Sequence, residues 1–229
     1  MSLSGLLLLT DARTPAGGHA HSGGIEAAVN AGTVRDVADL ARFLQGRLHT
    51  TGRVAAAVAA RACAHAADPI SARDLAGWDE LDAEVSARTP SPAQREASRA
   101  QARTLLRAAR VAWPAAVLDL LAGARPGTHH GVALGAVAAC AGCAPAEAAL
   151  AGAYLSVTGP ATAVVRLLGL DPLAVHAGLA DLGSELDAVA GAAAASADGP
   201  LTELPSASAP RLDILAQAHA RSELTLFAS

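Results

Sequence analysis

The sequence predicts an all-α fold, a single-domain helical bundle with an extended or short-helical C-terminal tail. Apolar residues recur at helical spacing along most of the chain. No alternating run of four or more β-branched residues appears, so strands are not expected. Hydrophobic residues make up 52% and charged residues 17% of 229, enough for one large core and too apolar for a disordered chain.

Residues 1–32 open with a short apolar run, Leu6–Leu9, which lacks a basic leader and is followed at once by Asp11, so it does not read as a secretory signal. Next comes a polar island, Asp11 to Glu26, with two acids, two histidines, one serine, one proline and four glycines. Glycine and proline shape turns there, and such loops carry function more often than the helices around them. Val37, Leu40, Ala41, Leu44 and Leu48 then trace an amphipathic helix, with Thr33 to Asp36 as a variant capping box. Ser71 to Asp74 repeats that signal ahead of a stripe of Leu75, Trp78, Leu81 and Val85. Pro92, Pro145 and Pro172 suit first helical turns, and Asp171 suits an N-cap. Breaks are expected at Pro114, at 123–127 and at 198–210. The charge-free stretch Ala148 to Val165 approaches membrane-spanning length, but Tyr154, Ser156, Thr158, Gly159, Pro160 and Thr162 interrupt it, so it reads as a buried helix. Residues 198–229 read as a tether and tail on the same bundle.

Composition removes whole classes of function. A net charge of −4 argues against a phosphate-backbone binder, and 2% aromatics leave no stacking platform for single strands, so no nucleic-acid partner is expected. All 17 basic residues are arginine. Without lysine there is no P-loop nucleotidase and no Schiff-base chemistry. Three cysteines suggest reduced thiols in the cytoplasm rather than a disulfide framework. Cys140-x-x-Cys143 lacks the second ligand pair that structural zinc needs and reads as small residues packed on a helix.

The pairs His19/His21 and His129/His130 are of a type nickel accepts, against the plainer reading of surface or core histidines. His21 and Ser22 are adjacent and so poorly placed as base and nucleophile, and no G-x-S-x-G elbow exists. Glu26 has no second carboxylate near it in sequence. No catalytic residues, cofactor or resident metal are expected. Arg95, Arg99, Arg103, Arg107 and Arg110 form a slowly winding basic stripe, either a solvated face or a surface for an acidic partner or a second copy.

The island supplies Asp11, Pro15, Gly17, His21, Ser22, Gly24, Ile25 and Glu26 at the spacing D-x-x-x-P-x-G-x-x-x-H-S-x-G-L-E, with isoleucine for leucine. That pattern resembles the UreF family of urease accessory proteins. A second block, Arg95-x-x-Ser98-x-x-x-Ala102-x-x-Leu105-Leu106, is similar to R-x-x-S-x-x-x-G-x-x-L-L. His129-His130 with Gly135, then Ala153-Tyr154-Leu155 and Arg166-Leu167-x-x-Leu170, resemble the family's middle. Pro210, Arg211, Leu212, Asp213, Ile214, Leu215, His219, Leu226 and Phe227 resemble its C-terminal signature, from which Ala220, Glu223 and Thr225 depart.

The resemblance implies a cytoplasmic, all-helical protein that performs no covalent chemistry. It implies a homodimer that binds a UreD/UreH-type accessory protein, recruits a UreG-type GTPase and docks on apo-urease during nickel insertion. Asp11, Pro15, Gly17, His21, Ser22, Gly24, Glu26, Arg95, Ser98, Tyr154 and Arg166 become candidates for partner binding or for the metal's path. Pro210, Leu212, Asp213, His219, Leu226 and Phe227 become candidates for the C-terminal partner contact, their apolar members being expected to stay exposed for it. Readings from other classes are a helical ligand-binding regulator and a metal-binding protein unrelated to urease.

Overall fold

The computed structural model describes residues 2–15, 21–221 and 226–227, all of it helix and connecting segment with no strand among those residues. Gly17, Glu223 and Thr225 lie outside the described residues. Helices run in the order α1 (Leu3–Thr10), α2 (Ile25–Asn30), α3 (Val37–Arg47), α4 (Arg53–Ala67), α5 (Leu75–Ala87), α6 (Pro92–Ala112), α7 (Ala116–Gly123), α8 (His130–Cys140), α9 (Pro145–Leu168), α10 (Pro172–Asp181), α11 (Gly183–Ala195) and α12 (Pro210–His219).

Several sequence signals operate as read, and some shift. Pro92, Pro145 and Pro172 occupy first turns, where the missing N–H leaves no bond unmade, and the Asp171 side chain caps α10. The cap of α3 is Asp36, whose carboxylate accepts from the Asp39 N–H at 2.7 Å, while Thr33 turns back to the Ala28 carbonyl. Likewise Asp74, not Ser71, caps α5, because a short 3₁₀ turn at Ser71–Arg73 comes first. Trp78, Leu81 and Val85 are buried, but Leu75 in the first turn is exposed.

The core is centred on α4, which packs against α8, α9 and α11. Close approach requires small residues. A Cβ on Gly135 of α8 would stand 2.3 Å from the Ala59 carbonyl oxygen of α4, and one on Gly152 of α9 would stand 2.9 Å from that of Ala55. The alanine-rich faces of α4, α8 and α9 thus let backbones meet where larger side chains would hold them apart. The stretch read as a buried helix lies inside α9, whose most apolar window is 56% buried against its neighbours.

Two irregularities meet near the middle of this core. Between α3 and α4 the helix widens into a π segment, Leu48–Gly52, a form seen mostly as single-turn insertions, frequently at functional sites. Opposite it, α9 carries Pro160 in its interior. Proline has no N–H, so the Ser156 carbonyl four residues earlier lacks its helical donor, and Arg47 Nε supplies one at 2.8 Å.

Candidate functional site

The end of the N-terminal island at Gly24 and Glu26 packs against described residues of the C-terminal tail. Gly24 adopts φ +87, a left-handed shape that suits glycine, and this turns the chain into α2. Glu26 therefore falls in the first turn of α2 and is only 3% exposed. Its carboxylate accepts from the Leu226 N–H at 2.7 Å and from the Phe227 N–H at 3.0 Å. His219 Nε2 lies 3.1 Å from the Phe227 carbonyl, to which it donates, and 3.4 Å from the same carboxylate. The buried Phe227 ring is capped by the Arg166 guanidinium at 5.0 Å, a cation–π contact. Leu212 of α12 sits 3.6 Å from where a Gly24 Cβ would be.

Seven of the predicted residues are thus brought together: Gly24, Glu26, Arg166, Leu212, His219, Leu226 and Phe227. The tail's apolar side chains were expected to stay exposed, and the structure corrects this for several of them. Phe227 is buried and Leu212 and Leu215 are half-buried because the Glu26 latch draws the tail onto its own body. Among the described large apolar residues of the tail, Ile214 and Leu226 remain outward, at 70% and 74% exposure.

A second assembly is a buried polar network at the start of α8. His129 is fully buried, and its Nδ1 lies 3.1 Å from Ser98 Oγ, which also accepts from the His130 N–H at 3.0 Å. Its Nε2 faces Arg99 Nη1 at 2.8 Å and Ser86 Oγ at 3.0 Å. A guanidinium can only donate, so Nε2 must be the acceptor and Nδ1 carries the proton, which makes the ring neutral. Burial pushes the His129 pKa down to about 4, with Arg99 adding to the effect against the pull of Asp82. Asp82 completes the network, accepting from Arg99 Nη2 at 2.8 Å and from the His129 N–H at 2.7 Å. Arg99 therefore leaves the expected basic stripe for the interior. Arg95 donates to the Thr89 and Pro90 carbonyls and Arg110 pairs with Asp119 at 2.5 Å.

Between these two assemblies lies a cavity of about 240 Å³, lined among others by His21, Arg47, Arg88, Ser98, His130 and Asp213. Burial holds the His130 pKa down at about 4, helped by the neighbouring His21, and raises the Asp213 carboxyl above its usual range. Arg88 is neutralised by Glu84 and also fastens the 201–205 segment through the Leu204 and Pro205 carbonyls.

The remaining candidates stand apart from the latch. Asp11 pairs with Arg13 at 2.7 Å in an exposed turn that includes Pro15, Tyr154 is 41% exposed on α9, and Pro210 opens α12. Ser22 is fully buried, and its hydroxyl has no hydrogen-bond partner among the described residues. The cysteines are free thiols; burial drives Cys63 up to about 12, far from a reactive thiolate. Among the described residues, no group of three His, Cys, Asp or Glu side chains is placed to hold a metal. Asp82, Ser86 and Arg47 were not legible as site residues, since each sits in an ordinary helical pattern and gains its role only from a distant partner.

The UreF family model matches residues 34–183 of this chain. The chain is 46% identical to the urease accessory protein UreF of Mycobacterium marinum over 228 residues, covering 100% of this chain and 99% of that protein. It is 46% identical to the protein of the same name from Mycolicibacterium vanbaalenii and 42% identical to that from Mycobacterium tuberculosis, with the same coverage. A match of this extent, together with the ordered motifs at both ends, means that the chain belongs to the UreF family of urease accessory proteins.

Proposed function

We propose that this protein is a non-catalytic scaffold in urease maturation, acting as a homodimer in the cytoplasm. It binds a UreD/UreH-type accessory protein, recruits a UreG-type GTPase and presents both to apo-urease while nickel is inserted. The observation that carries this reading is the latch. Glu26 of the N-terminal motif fixes the main chain at Leu226 and Phe227, and so holds Ile214 and Leu226 outward as apolar contacts. A large apolar side chain left in water forgoes about 1.5–3 kcal/mol of burial, which a partner surface would recover. Nickel is cargo in this reading, and His21 and His130 are side chains it would pass along the cavity. The scaffold role also accords with the chain's chemistry, because without lysine it has no means of gripping nucleotide phosphates in a P-loop.

The test is co-purification from cells producing the urease maturation proteins. The expected result is a stable complex with the UreD/UreH-type and UreG-type proteins, and no GTP hydrolysis by the isolated chain. Recovery of the protein alone from such cells, or stoichiometric bound GTP in the purified protein, would reject the reading.

A further inference from the structure

We infer that the cavity beside the π segment binds a small carboxylate compound, with Arg47 as the group that grips its carboxylate. A guanidinium carries five N–H donors and cannot shed its charge by accepting a bond. Arg47 commits only Nε, to the Ser156 carbonyl that Pro160 leaves without a helical donor. Its Nη2 lies against Gly23, 3.1 Å from where a Cβ on that residue would stand, and both residues line the cavity. Among the described residues no carboxylate pairs with it. Desolvation alone pulls its pKa down to about 10, with no acid near enough to oppose the shift. Arg47 is half-buried, so its Nη groups stay open to the cavity while no described carboxylate neutralises them, and an anion entering the cavity gains that pairing.

The shape and charge of the surroundings choose the class of anion. Among the described residues of the lining, Arg47 is the guanidinium that meets no carboxylate, since Arg88 is spent on Glu84, and His130 is held neutral. Asp213, on α12 along the same wall, opposes a second negative charge. A phosphate dianion would want more positive partners than these, whereas a carboxylate matches one guanidinium fork in charge and geometry. The cavity also offers Val54, Val58, Leu134 and Leu155 to an apolar body behind that head. At about 240 Å³ it suits a molecule of a few heavy atoms.

Sodium acetate is the probe. The full-length protein is titrated with acetate against chloride at constant ionic strength, with the Arg47 Nε–H and His130 Cε1–H resonances followed by NMR. The expected result is a saturable shift of the Arg47 and His130 resonances with acetate and none with chloride; read at His130, binding is weakened at least tenfold in Arg47→Gln and unchanged in Arg103→Gln, an exposed arginine outside the cavity. Arg47→Lys keeps the charge while losing the fork, and is expected to fold and to bind acetate more weakly; it serves as the variant of record if Arg47→Gln does not fold. Equal responses to acetate and chloride, undiminished binding in Arg47→Lys, or an equal loss in Arg103→Gln would overturn the assignment.

Discussion

The Glu26 carboxylate accepts a hydrogen bond from the Phe227 main chain at 3.0 Å although 201 residues separate the two in sequence. This bond joins the motif nearest the start of the chain to the signature at its end. A main-chain target tolerates change in the tail's side chains, and Leu226 and Phe227 keep their places although Ala220 departs from the family pattern.

Glu26→Ala removes both tail bonds at once. Each hydrogen bond to a carboxylate contributes about 1.5–3 kcal/mol, so the expected loss is about 3 kcal/mol, confined to the tail. Hydrogen exchange should show faster exchange at 226–227 and in α12, with α4 and α8 protected as before. Urease activation should fall in step. A variant with unchanged exchange in the tail would reject the latch.

Ser22→Ala tests the opposite case. The hydroxyl is buried without a partner among the described residues, so its removal is expected to leave stability unchanged or raise it by about 1 kcal/mol, read from urea unfolding. A loss of more than about 1 kcal/mol would show that the hydroxyl is satisfied within the fold. If activation falls while stability holds, the hydroxyl meets a partner in the complex.

The buried network makes stability depend on pH. His129 must stay neutral to accept from Arg99, and its pKa is held at about 4 against an ordinary 6.5. Between those values the unfolded chain takes a proton that the native state refuses. Stability is therefore full above pH 6.5 and falls as the pH drops toward 4, by about 3 kcal/mol for this group. His130, held down in the same way, steepens the slope. Urea unfolding at pH 7, 6, 5 and 4 measures it. His129→Gln, less stable at pH 7, should lose less between pH 6.5 and 4, and a slope equal to that of the parent protein would reject the assignment.

The helical fold was readable because its signals are local. Leu40, Leu44 and Leu48 repeat at helical spacing, and proline in a first turn acts within a few residues of itself. Caps were readable to within a few residues, but choosing Asp36 over Thr33 depended on where the preceding turn ended. The site was readable only where a motif marked it. Glu26 could be singled out from its setting, yet its burial and its tail partners could not, because both come from folding across the whole chain. The orphaned Ser156 carbonyl follows from Pro160 alone, whereas the identity of its donor, Arg47, requires the tertiary packing of α3 on α9.

The outward face of the tail carries the sharpest test of the scaffold reading. Ile214 and Leu226 are exposed, whereas Leu212, Leu215 and Phe227 of the same segment are drawn inward. Ile214→Asp and Leu226→Asp are therefore expected to change stability by less than about 0.5 kcal/mol, the usual range for surface positions. Together they would place two charges in the apolar contact and should weaken binding of the UreD/UreH-type protein at least tenfold, measured by titration calorimetry or pull-down. Deleting residues after Ala209 should abolish the complex while leaving the helical content of α1 to α11 largely intact by circular dichroism. If the double variant binds with unaltered affinity while the deletion abolishes binding, the contact lies on another face of α12. If the truncated chain also binds undiminished, the tail serves only to pack its own bundle, and the partner docks elsewhere.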